Sequence, residues 1–300
     1  MPGWTWNSPT RSSPPSTCSS GAWANWRNCS VSEPASDPGS EVVASSHYVR
    51  GRHAMLLRAG FSPLFTDYYL HLMQHGLRLE PAHDTLLKEA LAALTLHLIS
   101  RPRDETVAWT LNLQEPRLNL FVTGDSSSGL VTGRVYTDHV REGDQSLFYS
   151  QVLRPNHPAR TSVVPVTASD ALAMAGDFHR QSQQTPARFF QLGGEEETFA
   201  LLVALPDCDL PWLEAIDTPA VEAIADTEEL GFLENRAFRF GCRCTLPRIV
   251  RSIASLGTTS LEELFGEDEA LDVSCPRCAA KYQATREQMR AIQDGDAADA

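Results

Sequence analysis

The sequence predicts an α+β fold in three parts: a layered helix-on-sheet N-terminal core domain, an acidic helical linker, and a small C-terminal four-cysteine domain. After two helical segments, the spacing of apolar residues changes from a period of 3.6 to a period of two. Residues 214–234 then contain seven acidic side chains and no basic one, and paired cysteines follow. Helices followed by a run of strands favour an α+β fold over the strict strand–helix alternation of a doubly wound fold.

The composition limits the class of protein. The chain has 300 residues, a formal charge of -13 and 42% hydrophobic residues, so it can bury a sizeable core. No apolar run approaches the roughly eighteen residues that a membrane helix needs, so we expect a soluble protein with no membrane partner. The negative charge would repel phosphate backbones, which excludes nucleic acid as an expected partner. Seven unevenly spaced cysteines without a secretory leader favour a cytoplasmic location.

Residues 1–46 are rich in Ser and Pro and have neither helical nor strand periodicity. We expect a disordered extension here. A start codon assigned too far upstream would give the same appearance, with Met55 or another internal start as the true beginning. Cys18 and Cys29 lie in this segment without further Cys or His at ligand spacing, so we do not expect them to bind metal.

The core domain is predicted at 47–206. A first amphipathic helix surrounds Tyr68, and a second, rich in Leu and Ala, ends before Pro102. Alternating strands begin near Val107, and one further helix, "ASDALAMAGDFHRQSQQ", precedes the closing strands. Three aromatic residues on apolar faces are expected to pack in the core, namely Tyr68, Tyr69 and Trp109. The helical histidines are interpreted as surface or satisfied core residues rather than metal ligands; they are His71, His75 and His97.

The acidic helical linker is predicted at 207–241. Thr218 before Pro219 marks a helix start, and Val221 and Ile224 share one face of that helix. Because the segment is strongly acidic, we expect it to be mobile. Cys208 is interpreted as a loop or core thiol.

The four remaining cysteines form two pairs. Cys242 and Cys244 make a C-x-C, Cys275 and Cys278 make a C-x-x-C, and thirty residues separate the pairs. Zinc prefers four tetrahedral ligands, which two such thiolate pairs supply, and no His lies in this region. A structural zinc ion contributes about 10 to 16 kcal/mol of apparent binding free energy, enough to hold a domain with few apolar residues. We therefore predict a zinc domain at 242–292 and a tail at 293–300.

The rest of that domain has its own local signals. A helix is expected from Pro247 to the residue before Gly257, followed by a capping box of Ser260 and Glu263. The stretches "ALDVSC" and "KYQA" are expected to form a hairpin around the C-x-x-C. Thr285 and Gln288 offer a second capping box for a last helix. Two readings other than zinc stay open: a thioredoxin-like redox C-x-x-C, although no βαβ pattern surrounds it, and reduced cysteines with no role.

These residues resemble the redox-regulated 33 kDa heat-shock chaperonins, bacterial holdases with a C-terminal zinc centre. The resemblance rests on the C-x-C, the thirty-residue spacing, "EELF" and "LDVSCPRCAAKY", and extends upstream to "YVRGR", "MAGDFHRQSQQTPARFFQ" and "FALLVALP". It covers about 48–292 and is strongest at the cysteines. The family usually has a longer linker and follows the C-x-C with Ser and a Glu-Arg pair, where this chain has "TLPRI".

The resemblance implies an ATP-independent chaperone that holds zinc on Cys242, Cys244, Cys275 and Cys278 in its reduced, inactive form. Oxidation would pair Cys242 with Cys244 and Cys275 with Cys278, release the zinc and melt the small domain with its linker. Unfolding client proteins are the implied partners, and the oxidised form is a candidate homodimer. No phosphate-binding loop and no assignable pair of catalytic carboxylates is present, so we predict no enzyme.

Two alternatives from other classes stay open. One is a constitutive zinc-ribbon adaptor whose zinc is purely structural. The other is a thiol oxidoreductase that uses Cys275 and Cys278 without a metal. Zinc content and suppression of protein aggregation, before and after oxidation, separate these functions.

Overall fold

A computed structural model describes residues 41–194, 197–255 and 265–291, the side chains of 253–255 excepted. Cys18, Cys29 and the capping box predicted at Ser260 and Glu263 lie outside these ranges. The prediction of an extension through residue 46 is wrong at its end, because the first strand begins at Val42. The small side chains of this stretch gave a weak strand signal, although they alternate between the two faces of the sheet.

The N-terminal part contains helices α1 (Ser62–Gln74), α2 (Pro81–Ile99) and α3 (Ala171–Phe178), the last continued by a π-helical turn, His179–Gln183. Its strands are β1 (Val42–Val49), β2 (Ala54–Gly60), β3 (Thr106–Gln114), β4 (Arg117–Asp125), β5 (Leu130–Tyr136), β6 (Leu147–Leu153), β7 (Arg160–Pro165), β8 (Ala187–Gln191) and β9 (Thr198–Ala204). Then follow α4 (Leu210–Ala215), α5 (Thr218–Glu222), α6 (Ile224–Thr227), β10 (Leu230–Phe240), α7 (Leu246–Ser255), β11 (Ala270–Ser274) and β12 (Lys281–Thr285). Within the described ranges, no helix is long and apolar enough to span a membrane.

Among the described residues, ten strands form one sheet in the order β7-β6-β3-β4-β5-β10-β1-β2-β9-β8. Neighbouring strands are antiparallel except β10 and β5, which pair in parallel over Arg239–Leu130 and Phe240–Val131. Helices α1, α2 and α3 cover one face of this sheet. The predicted α+β class with helices layered on a sheet is confirmed.

The main core lies between these helices and the sheet. Helix α2 buries every residue from Ala90 to Ile99, because neighbouring strands and α3 surround its C-terminal half. Tyr68 and Trp109 are buried as predicted, each about 1% exposed. The prediction is wrong for Tyr69, which is 40% exposed and whose hydroxyl donates to the Asp84 carboxylate at 2.7 Å.

A second apolar cluster lies on the opposite face of the sheet. Strand β9 contributes to both clusters, because Phe199, Leu201 and Val203 point to the main core while the residues between them point away. Helices α4, α5 and α6, called the cover helices below together with the residues that connect them, pack on this outer face. Their buried apolar side chains are Leu213, Ile216, Val221 and Ile224. The chain that follows β9 therefore returns to shield an apolar surface of the core domain.

The prediction of a helical linker through residue 241 is wrong beyond Thr227. Residues 230–240 form β10, which pairs with β1 and, at its end, with β5. The physical reason is a change of pattern after the acidic run: Arg236, Phe238 and Phe240 alternate inward. Arg236 is buried and donates hydrogen bonds to carbonyl oxygens near the end of α2 and to Ser126.

The small C-terminal domain follows β10 directly. Helix α7 is present as expected, and β11 and β12 form the predicted hairpin around Cys275 and Cys278. The second capping box is also confirmed: the Gln288 backbone N–H donates to the Thr285 hydroxyl at 3.2 Å, and the Thr285 N–H donates to the Gln288 side chain at 3.0 Å. Residues 286–291 are helical.

Candidate metal centre

Two short segments position the four cysteines. Cys242 and Cys244 follow the last residue of β10, so the sheet fixes where the C-x-C begins. Cys275 and Cys278 occupy the turn of the β11–β12 hairpin, which closes by a hydrogen bond from the Cys275 N–H to the Ala280 carbonyl at 2.8 Å. Ala279 takes a left-handed conformation with φ of 63°, unusual for a residue with a Cβ, and thereby reverses the chain tightly enough to bring both thiols to one side.

The four sulfur atoms converge. The Cys242 and Cys275 Sγ atoms are 3.9 Å apart, the Cys244 and Cys278 Sγ atoms are 3.5 Å apart, and all four lie within 4.8 Å of one another. Zn–S bonds of about 2.3 Å directed to the corners of a tetrahedron place sulfur atoms about 3.8 Å apart. The separations exceed the roughly 2 Å of a disulfide, so the cysteines are free thiols.

Hydrogen bonds among the four sulfur atoms lower the pKa of two cysteines and raise the pKa of the other two. The pKa of Cys275 is lowered because its Sγ accepts from Cys242 above all, and also from the Arg277 N–H at 3.4 Å. A bond with Cys242 lowers the pKa of Cys244 to about 7. The pKa values of Cys242 and Cys278 are raised by their bonds to neighbouring sulfurs. A bound divalent cation would remove this difference among the four cysteines, because thiols that coordinate a metal are deprotonated.

The surroundings suit a closed site with one open side. Cys275 and Cys278 are 2% exposed and pack with Ile249 and Ala280. The Tyr282 hydroxyl lies 3.3 Å from the Cys244 Sγ and donates to the Cys244 carbonyl at 3.1 Å. A cavity of 680 Å³ borders the site and is lined by Cys242, Cys244 and Cys275 together with three arginines, Arg243, Arg248 and Arg277. A small solute can therefore approach Cys242 and Cys244, which are half-buried, from this side.

The donor set fits zinc. In the part of the chain that the structure describes, these four cysteines are the one group of three or more Cys, His, Asp or Glu side chains close enough to hold a metal ion. Four thiolates in a closed tetrahedral arrangement are typical of a structural zinc site. All four cysteines singled out from the sequence come together, whereas Cys208 lies apart as a half-buried free thiol.

Side chains that the sequence did not indicate also contact this site. His71 of α1 and His75, which directly follows that helix, form hydrogen bonds with the backbone of residues 275–281, as do Arg134 and Tyr136 of β5. His97 lies elsewhere, buried in the core beside His179. Because more than a hundred residues separate these contacts along the chain, no local pattern could have indicated them.

Comparison with known proteins identifies the family. A family model described as Hsp33 protein matches residues 66–285, more than half of the chain. The chain belongs to the Hsp33 family. The resemblance noted from the cysteines and the upstream segments is therefore confirmed.

Several relatives carry the name 33 kDa chaperonin. The Hsp33 relative from Bacillus cytotoxicus is 24% identical over 155 residues, which cover 50% of this chain and 50% of that protein. The relative from Caldanaerobacter subterraneus is 30% identical over 70 residues, which cover 23% of this chain and 24% of that protein. The chain thus spans between a quarter and a half of the length of these relatives.

A solved structure shows the same fold. The crystal structure of the 33 kDa chaperonin (Hsp33) from Thermotoga maritima matches with a TM-score of 0.65 and 14% sequence identity, covering 86% of this chain and 99% of that one. The Hsp33 fold therefore extends over both the core domain and the region of the cysteines.

Proposed function

We propose that this Hsp33 family member is a redox-regulated, ATP-independent chaperone of the cytoplasm. In its reduced form Cys242, Cys244, Cys275 and Cys278 bind zinc and the protein is inactive, and oxidation of these cysteines exposes a surface that holds unfolding proteins. The relatives are named chaperonins and not enzymes. The protein acts by binding clients, with no catalytic residues, and neither nucleic acid nor membrane is among its partners.

The observation that carries this proposal is the convergence of the four reduced sulfurs within 4.8 Å, in a small domain joined directly to β10. Zinc bound there would supply the free energy that holds the C-terminal domain together, on the order of 10 kcal/mol. The apolar clusters of that domain are small: one contains four buried residues including two of the cysteines, and the other also contains four. The fold of the domain therefore depends on the thiols keeping their ligand geometry.

The chemistry of the switch follows from the thiols. A thiolate attacks peroxide, the O–O bond breaks, and a sulfenic acid and hydroxide form. A neighbouring thiol then attacks the sulfenic sulfur, which closes a disulfide and releases water. We propose the pairs Cys242–Cys244 and Cys275–Cys278. A sulfur in a disulfide is no longer a thiolate ligand, so each disulfide removes two of the four ligands. The cavity beside the site supports access for a small oxidant.

The cover helices supply the surface that the switch would expose. Four of their apolar side chains pack on the outer face of the sheet, where Leu56, Phe190 and Leu202 are buried beneath them. Melting of the zinc domain would remove the anchor at the C-terminal end of β10 and loosen the chain that leads back to the cover helices. Their release would uncover an apolar face able to bind unfolding clients.

The proposal is tested by zinc content and aggregation of warmed citrate synthase, measured before and after peroxide. We expect one zinc per reduced chain, loss of that zinc on oxidation, and suppression of aggregation only afterwards. A Cys275→Ala/Cys278→Ala variant should contain no zinc, and Cys208→Ala, which removes a thiol away from the site, should behave as the wild type. Retention of zinc with unchanged aggregation would contradict the switch and favour a constitutive zinc-ribbon adaptor.

A further inference from the structure

Two elements of the core domain each contact the C-x-x-C turn and a residue directly before the C-x-C. Strand β5 pairs with the end of β10, where the Gly241 N–H donates to the Val131 carbonyl at 2.9 Å, one residue before the C-x-C. The same strand presents Arg134 and Tyr136 to the C-x-x-C turn. Helix α1 packs the His71 ring 5.4 Å from the Phe240 ring of β10 and also reaches the turn. The core domain therefore contacts the C-x-x-C turn and the residues directly before the C-x-C at the same time.

The contacts to the turn all involve its backbone. The Arg134 guanidinium donates to the Cys275 carbonyl at 2.7 Å, and the Tyr136 hydroxyl donates to the Pro276 carbonyl. The His71 Nε2–H donates to the Cys278 carbonyl at 2.8 Å. On the far side, the His75 Nδ1 accepts from the Lys281 N–H at 3.3 Å. Three successive bonds thus engage carbonyls of residues 275, 276 and 278, which is the segment that presents two of the four sulfurs.

The side chains that make these bonds are themselves held in place. The Arg134 guanidinium lies over the Tyr136 ring at 4.0 Å from its centroid, so the two side chains support each other on one face of β5. The rings of His71 in α1 and of His75, the residue that caps the end of this helix, are 4.8 Å apart. The His75 ring lies 6.0 Å from that of Tyr282. Because these side chains are already held in place, little further conformational entropy is lost when they bind the backbone of the turn. Their hydrogen bonds therefore favour one backbone conformation of the turn over others.

We propose that these four side chains, Arg134, Tyr136, His71 and His75, form a knuckle cradle: they are positioning residues that hold the C-x-x-C turn in its metal-binding shape from the core domain. Closure of a Cys275–Cys278 disulfide would change the turn and displace the three carbonyls together. Through the knuckle cradle, oxidation of Cys275 and Cys278 would therefore alter contacts with the core domain directly, in addition to acting through the covalent connection at β10. The inference rests on the proposed binding of zinc by the four cysteines.

The test measures zinc affinity by competition with a chelator, using the reduced full-length chain and zinc itself as the probe. Arg134→Met and His71→Phe each remove one donor and keep an apolar side chain of similar reach. We expect each to weaken zinc binding by about tenfold, the lower end of the effect of residues that support metal ligands, and to speed zinc release by peroxide. Arg134→Lys keeps a cationic donor and should recover part of the affinity.

The matched control is Arg117→Met, which removes an arginine from the neighbouring strand β4 that pairs with Glu142 and makes no contact with the turn. It should leave zinc affinity and release unchanged. The melting temperature of the core domain should be the same in Arg134→Met and Arg117→Met, which separates positioning from general loss of stability. Wild-type affinity and release rates in Arg134→Met and His71→Phe would overturn the cradle while the proposed function stands. Failure of the wild-type chain to bind zinc would overturn both.

Discussion

Leu213 is the side chain through which the cover helices can be loosened most selectively. It is 1% exposed and packs into the outer apolar cluster, as one of four buried apolar side chains that the cover helices contribute. A buried Leu→Ala substitution costs about 2 to 5 kcal/mol, from the lost apolar contact and the cavity left behind. A loss of about 3 kcal/mol raises the population of a locally released state by about 100-fold.

The substitution leaves the backbone anchor of α4 in place. Arg188 of β8 donates to the carbonyls of Leu213, Glu214 and Ile216, and these acceptors do not depend on the side chain at 213. Leu213→Ala should therefore weaken the apolar packing alone. We expect faster amide hydrogen exchange at residues 210–227 and measurable suppression of citrate synthase aggregation by the reduced, zinc-loaded protein.

Leu210→Ala is the matched control, because Leu210 lies in the same helix but is 41% exposed. It should change neither exchange nor activity by a comparable amount. If Leu213→Ala and Leu210→Ala give the same exchange rates and the same activity in the reduced state, the outer apolar face is not the client-binding surface and the reasoning fails.

Three further predictions concern stability. Burial lowers the pKa of both His97 and His179, whose ring nitrogens are 2.9 Å apart, and that of His179 falls to about 4. The unfolded chain then binds protons below about pH 6.5 that the folded chain does not bind. Denaturant titrations should therefore show the free energy of unfolding falling as the pH drops from 6.5 towards 4, with about 3 kcal/mol of the fall due to His179, and a His179→Phe variant should lose that share. Arg236→Met should cost about 3 kcal/mol of unfolding free energy, because charged hydrogen bonds are lost and buried carbonyls are left unpaired. Arg103→Met, at an exposed ion pair, should cost little. Equal losses in the two variants would contradict the anchoring role of Arg236. Thr285→Ala should cost the zinc-bound C-terminal domain about 1 kcal/mol of stability, because the helix loses its cap. Amide hydrogen exchange should become faster in 286–291 and stay unchanged in α2. An unchanged rate in 286–291 would show that the cap contributes nothing.

The metal centre was predictable because its signals are local. The spacing within each cysteine pair defines a tight turn, and the residues flanking Cys275 and Cys278 alternate as the arms of a hairpin should. The Thr285 and Gln288 capping box spans four residues of sequence and needs no partner from elsewhere. In each case the interaction that determines the structure lies within a few positions along the chain.

Strand β10 and the knuckle cradle could not be predicted in this way. The acidic run suggested helix and solvent through residue 241, but β10 is stabilised by β1 and β5, which are far away in sequence. Arginine is usually a surface residue, and the burial of Arg236 becomes favourable because carbonyls at the end of α2 accept its hydrogen bonds. Likewise Arg134 and His71 lie 141 and 207 residues from the carbonyls that they contact.

The central claim is that zinc release and client binding are one event. The most direct measurement follows both in a single sample: after peroxide is added to the reduced protein, a zinc-binding dye reports free metal while aliquots are assayed for suppression of aggregation. We expect activity to rise together with released zinc and to reach its maximum at one zinc released per chain, and we expect a reductant with zinc to reverse both. Full activity before any zinc is released, or complete release without activity, would contradict it.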